Sequence, residues 1–194
     1  MARTKGFDDA LTVSAARDIF WERGYASTSL ADLQAATGLS KSSIYETYGS
    51  KRALFQRATD DYLATVMAPL LAPLERKGAG SDEVAAWFLA FAARFRARPE
   101  RVATRGCLML NTATELPVLD DDAAAMLVAF NLRVRAAFGN AARGMAVDDP
   151  ERHADLLTVV HVGMMTLSRL DREGAAKLAE TFAAEARRAK PTRR

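Results

Sequence analysis

Three groups of residues in this chain have the types and spacing to do chemistry. The first is Cys107, in the run TRGCLMLNTATEL, directly after Gly106, with Arg105 adjacent and Arg101 upstream. A thiol at a helix start beside cations loses its proton more readily, and the thiolate is the nucleophilic form. The same cysteine could equally be a small residue that packs a helix start. The second group is His153 and His161, eight residues apart, with no partners at metal-ligand spacing. Surface or interface positions are expected for both, and no metal site. The third is SKSSIYETYGSK, residues 40–51, which crowds Ser40, Lys41, Ser42, Ser43, Tyr45, Tyr48 and Lys51 into twelve positions. Hydroxyls, phenols and ammonium groups in such density are hydrogen-bond donors suited to phosphate oxygens. An enzyme would need a nucleophile with a base and an orienting group, or a phosphate loop. The sequence holds no G-x-x-x-x-G-K run and no evident base for Cys107, so no catalysis and no cofactor is expected.

The elements that position these groups read as helices throughout. Alanine is abundant, β-branched clusters are few, and no period-2 alternation lies between turn signals. The spacing predicts a first helix with Leu11, Ala15 and Ile19 on one face and Ala16 and Phe20 beside them, ended by Gly24. Ser29 with Asp32 reads as a capping box that opens a short helix to about residue 37. Gly38 and Leu39 make a turn, and Ser40 caps a third short helix to about Tyr48. A long helical pattern then runs over 51–77, with Pro69 and Pro73 expected to kink it. Five further helices are expected at about 83–98, 101–116, 120–143, 151–170 and 173–188, with KGAGSD at 77–82 as the clearest linker.

Two short helices joined through a glycine-containing turn follow the plan of a helix-turn-helix. Leu33 and Ile44 can pack the pair together, which leaves Lys41, Ser42, Ser43, Glu46 and Thr47 more exposed. The start of the second helix, Ser40 to Ser43, offers free amides and a helix dipole that favour a phosphate. The same geometry also occurs in helical proteins that never touch nucleic acid. Spacing alone leaves both readings open, and the many exposed donors favour DNA.

The run TSLADLQAATGLSKSSIYETYGSKRALF resembles the N-terminal signature of the tetracycline-repressor (TetR) family of bacterial one-component regulators. That signature commonly reads Ser-Lys-Gly-Thr/Ser-hydrophobic-Tyr-x-His-Phe-x-Ser-Lys-x-x-Leu. The resemblance covers about 50 N-terminal residues. It implies phosphate contacts from Thr28 or Ser29, Tyr45, Tyr48 and Lys51, and base-reading or groove-floor roles for Lys41, Ser42 and Ser43. Ser42 stands where glycine is common, Thr47 and Tyr48 replace His-Phe, and Gln34 replaces a small residue. These departures bear on the operator sequence.

The resemblance also implies an all-α fold. A helix-turn-helix domain at 1–50 is followed by an effector-binding and dimerisation domain at 51–190, with 51–77 as the connecting helix. A homodimer on a palindromic operator is implied, joined by the last two helices through apolar faces such as Leu156, Val159, Val160, Gly163 and Leu167, then Leu178 and Phe182. Release by a small apolar or electrophilic effector would follow. The alternative is a DNA-binding or interaction module with no effector. TRGCLMLNTATEL resembles a Gly-Cys-x-x-x-Asn/Lys-x-x-x-Glu motif of a subgroup that includes an N-ethylmaleimide-responsive repressor. Some members of that subgroup sense electrophiles with this cysteine, and others bind small molecules non-covalently.

Trp87, Phe88, Phe91 and Phe95 recur at helical spacing, and Met109, Met126, Phe130, Met164 and Met165 add soft apolar side chains. Each is ordinary core on its own; together they suit an adaptable apolar cavity. Asn111 and Glu115, four apart, are expected to hydrogen-bond within their helix, and Asp120 to Asp122 to cap the next one. The tail RRAKPTRR reads as a disordered end. The chain has 194 residues, a formal charge of +3 and one cysteine, so any basic character must be local and no intrachain disulfide can form. No apolar run approaches the roughly 18 residues of a membrane span. A cytoplasmic protein is expected.

Overall fold

Asp8, Ser29, Ser40 and Ser50 each hold an extended backbone and accept hydrogen bonds from the first turn of the helix that follows. Such caps satisfy amides that the helix cannot satisfy itself. They start α1 (Asp9–Arg23), α2 (Leu30–Thr37), α3 (Lys41–Tyr48) and α4 (Lys51–Tyr62). The computed structural model describes residues 7–97, 99 and 103–188. Arg101 and the tail beyond residue 188 lie outside the described residues.

The connecting helix stays helical across both prolines by changing its hydrogen-bond register. After α4, a π-helical turn spans Leu63–Met67, and the Ala68 amide donates to Leu63 O, five residues back. This shift precedes Pro69, which has no amide to give. Then α5 (Ala68–Glu75) carries Pro73 inside it and ends at Arg76. The remaining helices are α6 (Ser81–Phe95), α7 (Leu108–Ala113), α8 (Asp121–Arg143), α9 (Pro150–Leu167) and α10 (Arg172–Arg188). Of the helix expected at 101–116, residues 101 and 102 lie outside the described residues, and α7 forms at Leu108–Ala113. Gly106 takes a φ of 66° and Cys107 is extended, which stops helical geometry before Leu108, and a 3₁₀ turn follows at Leu116–Val118.

Two hydrophobic clusters organise these helices. The smaller joins Ala16 and Phe20 of α1, Leu33 of α2, Ile44 of α3, and Leu54, Phe55 and Ala58 of α4. Leu33 and Ile44 are fully buried and hold the helix pair together as the sequence predicts. Leu11 does not join them; it is 70% exposed, and the inward face of α1 is the expected Ala16 and Phe20 together with Val13 and Trp21. The larger cluster gathers Trp87, Phe88, Phe91 and Phe95 of α6, Phe130 and Phe138 of α8, and Met164 and Met165 of α9. The buried alanines 175, 176, 179, 183 and 186 form one stripe along α10. Small side chains let its backbone lie close along α6. Among the described residues, no helix is long and apolar enough to cross a membrane.

Candidate nucleic-acid interface

The turn between α2 and α3 depends on Gly38, whose φ of 71° caps α2 in the left-handed region that L side chains seldom adopt. The chain re-enters a helix two residues later, at Ser40. Its hydroxyl accepts from the Ser43 amide at 3.1 Å and lies 2.9 Å from both the Ser42 and the Ser43 hydroxyls. The start of α3 is therefore a cluster of three hydroxyls around the positive end of a helix. Lys41 and Ser42 are exposed beside it, and Tyr45, one turn on, is 42% exposed. Ile44 points the opposite way, into the core. The outward face of α3 thus carries the donors and the inward face the packing.

Some residues expected on this face turn elsewhere. Thr28 is buried, and its hydroxyl donates to Gly24 O at 2.5 Å. It closes the α1–α2 turn from inside and has no surface to offer a phosphate. Ser29 is exposed, but it is engaged in the capping box with Asp32. That bonding holds the Asp32 carboxyl below its ordinary range, and Arg23 adds an ion pair. The Tyr48 hydroxyl donates to Asp9 Oδ1 at 2.8 Å, so its proton ties α3 to the start of α1. Burial and this bond to Asp9 raise the phenol above its ordinary value. Lys51 is half-buried with its Nζ 4.4 Å from the centre of the Tyr25 ring, a cation–π contact at the base of the interface.

Behind the interface lies a set of contacts that the sequence does not announce. Glu115, far along the chain, accepts from the Tyr25 amide at 2.7 Å and the Ala26 amide at 3.2 Å. These amides belong to the turn between α1 and α2. Gly24 makes the approach possible, since a Cβ there would stand 2.5 Å from Glu115 Oε1. Asn111 does not bond to Glu115; its amide donates to Arg105 O at 2.8 Å and braces the loop before α7. Arg52 of α4 grips Asp120, the cap of α8, through two bonds of 2.7 Å. Arg105 reaches Asp18 at 3.7 Å and Glu22 at 3.4 Å on α1. A cleft of about 310 Å³ opens beside the Glu115 clamp, lined by Arg23, Leu110, Met165 and Arg169 among others. Only Gly24, read first as a helix stop, carried a signal of the clamp.

Cys107 is enclosed in the large core. It is 2% exposed, and the Tyr62 hydroxyl donates to its Sγ at 3.3 Å. Burial pushes the thiol above its ordinary pKa, because the anion would lose its water. The Tyr62 bond, the Leu110 and Met109 amides and the charge of Arg94 act in the opposite direction but are outweighed, while Arg105 pairs with the α1 carboxylates. Of the cavity residues, Trp87, Phe91, Met109, Phe130, Met164 and Met165 meet in the large core. Met126 is set apart at its margin, with its sulfur 3.7 Å from Gln56 Nε2. His153 is partly buried, but His161 overturns its surface reading: it is 1% exposed, among Trp87, Phe91 and Phe138. An aliphatic-looking face with one histidine gave no sign that both ring nitrogens would be enclosed.

Residues 13–58 match the family model described as bacterial regulatory proteins, tetR family. The match runs from α1 into α4 and so takes in the whole helix-turn-helix. The chain is 37% identical over 115 residues to YezE, an uncharacterized HTH-type transcriptional regulator of Bacillus subtilis strain 168, covering 59% of this chain and 58% of that one. It is 35% identical over 116 residues to the HTH-type transcriptional repressor ComR of Escherichia coli K12, covering 59% and 53%. The matched segment thus spans a little over half the length of these HTH-type relatives. The fold as a whole is similar to that of the TetR family transcriptional regulator CifR, a cysteine-substituted form solved with a 26-base-pair double-stranded operator. The TM-score is 0.77 and the identity 27%, over 94% of this chain and 98% of that one. The TetR-type helix-turn-helix and the helical remainder are thus one known architecture.

Proposed function

We propose that the chain is a DNA-binding transcriptional repressor of the TetR type, acting in the cytoplasm as a homodimer on a palindromic operator and released by a small-molecule effector. One observation carries it: the hydroxyl cluster and Lys41 stand exposed at the start of α3, while Leu33 and Ile44 fix that helix from behind. A recognition helix enters the major groove with its first residues toward the bases. Ser40, Lys41, Ser42, Ser43 and Tyr45 are the assigned contact set, with Ser29 and Lys51 at its edges. The operator seen with CifR and the repressor named ComR support the DNA-binding reading.

Dimerisation is supported by an apolar stripe. Leu156 and Val159 of α9 are 53% and 68% exposed, and Val128 and Leu132 of α8 are 60% and 58% exposed. Arg135 of α8 pairs with Asp155 of α9 at 2.5 Å and ties together the two helices that carry these four side chains. Phe182 of α10 is half-buried against Phe88, with ring centroids 5.8 Å apart, and walls a groove with Leu156. A second copy covering this face would set two α3 helices on successive major grooves, on the order of 34–36 Å apart. The DNA-binding unit is residues 1–50 and the effector-binding and dimerisation unit 51–190, with the first turns of the connecting helix lending Leu54, Phe55 and Ala58 to the DNA-binding core. The clamp from Glu115 to the α1–α2 turn is the path by which an effector would act.

Operator selection from random duplex DNA tests the reading, followed by titration of the selected site at several salt concentrations. A palindrome is expected. Lys41→Ala is expected to lower the slope of log affinity against log salt by about one. Sedimentation should give a dimer that Val159→Glu dissociates. No selected sequence, or a monomer bound to a half-site, would overturn the assignment.

A further inference from the structure

Among the described residues, Trp87 Nε1 and both ring nitrogens of His161 are buried with no hydrogen-bond partner, as is Arg105 Nε. The first three belong to one cluster. The Trp87 and His161 rings meet edge to face at 5.3 Å, with Phe91 at 5.5 Å and Phe138 at 6.4 Å from the imidazole. Both side chains are nearly sealed from solvent, at 3% and 1% exposure. Buried donors and acceptors are almost always paired, so three unpaired atoms on two touching rings call for a partner that is not part of the chain.

We infer that Trp87 and His161 are the polar anchors of the effector site, and that the effector class is a small, planar, uncharged aromatic molecule bearing a hydroxyl group. An indole only donates, while a neutral imidazole donates at one nitrogen and accepts at the other. A phenolic hydroxyl accepts from Trp87 Nε1–H and donates to the bare nitrogen of His161; the remaining imidazole N–H is left for a second ligand oxygen or a water. Burial depresses His161 to about 4, so at neutral pH it brings no positive charge to a carboxylate. Phe91 and Phe138 pack against the imidazole, so a ring enters this cluster as the buried Met164 and Met165 on the same helix repack around it. The proposal rests on the effector-responsive reading, and it supplies a route. Met165, one turn beyond His161, lines the cleft that also contains Glu115. A guest that moves this part of α9 presses on the wall of the clamp.

The test is calorimetric titration of phenol into the intact protein, with toluene and benzoate as controls and operator affinity measured in the same samples. Saturable phenol binding is expected, with toluene and benzoate each weaker. His161→Phe is expected to weaken phenol by about tenfold, the loss of one hydrogen bond, and so is Trp87→Phe. The unliganded His161→Phe protein should also melt at a higher temperature, because it no longer encloses unpaired nitrogens. His161→Gln, which keeps polar atoms, should not gain this stability. Toluene binding as tightly as phenol, phenol binding unchanged in His161→Phe, or no saturable phenol binding would each overturn the assignment. Phenol that binds through His161 without loosening the operator would uphold the anchors and remove the repressor-release reading instead. Operator release by another compound, with no phenol binding, would do the reverse.

Discussion

The molecule has two concentrations of polar side chains, and they are opposites. At the start of α3, Ser40, Ser42 and Ser43 are bonded to one another, with Ser40 and Ser42 open to water. Inside the bundle, Trp87 and His161 are enclosed and unpaired. A hydroxyl in water exchanges one partner for another at little net cost, so the first cluster can hand its bonds to a phosphate and recover them afterwards. The second has no such reserve: each buried atom costs about 1–3 kcal/mol until something satisfies it. The exposed cluster is built for reversible contact with a large polyanion, and the enclosed one for a guest that brings its own hydrogen bonds.

The contrast is broken most severely by placing a carboxylate in each region. His161→Asp buries a charge without a partner and is expected to cost about 3–5 kcal/mol, read as a large fall in melting temperature. Ser42→Asp should leave the melting temperature unchanged, since a negative charge at a helix start is tolerated, while abolishing binding to any DNA. Equal thermal effects would erase the distinction. Acid is the next probe. An unfolded histidine takes its proton near 6.5, whereas His161 in the fold does so only near 4. Between these values the unfolded chain binds more protons, so stability is intact above about pH 6.5 and falls as the pH drops toward 4, by up to about 3 kcal/mol. In denaturant titrations His161→Phe should lose that part of the acid sensitivity. A smaller change, about 1–2 kcal/mol, is expected for Glu115→Gln, which keeps the shape of the clamp but weakens the bonds to two amides. Hydrogen exchange at Tyr25 and Ala26 should quicken. Smallest is Ser40→Ala, about 1 kcal/mol from the lost cap, and it should disturb α3 without reaching the bundle.

What the sequence disclosed about this architecture follows from the range of the forces involved. The capping box at Ser29 and Asp32, the turn at Gly38 and the cap at Ser40 are written within four or five residues, so the helix pair and its inward Leu33 and Ile44 were readable directly. The same rules located the helix now seen at Asp121–Arg143, which carries its own acidic start. They failed where a distant element decides. Nothing near Tyr48 says that Asp9 will take its proton, and nothing near Glu115 says that a turn some ninety residues earlier will need an acceptor. For Cys107 the local cues, a helix start and an arginine, pointed toward an activated thiol. Burial raises the thiol and outweighs the bond from Tyr62 and the charge of Arg94, which both act to lower it. His161 lies on a helix whose neighbours are apolar on several sides, and periodicity does not reveal which side will close over it.

One consequence follows from the two adjacent aromatic residues near the end of α1. Phe20 stands in the smaller cluster, edge-on to Phe55 at 5.0 Å, while Trp21 stands in the larger, edge-on to Tyr62 at 4.8 Å, with its indole donating to Gly106 O. Consecutive side chains on a helix point about 100° apart, so one short rod is keyed into both compartments at once. Neither compartment can melt without stripping a large ring from the other, and a calorimeter should record one cooperative transition for the chain rather than two.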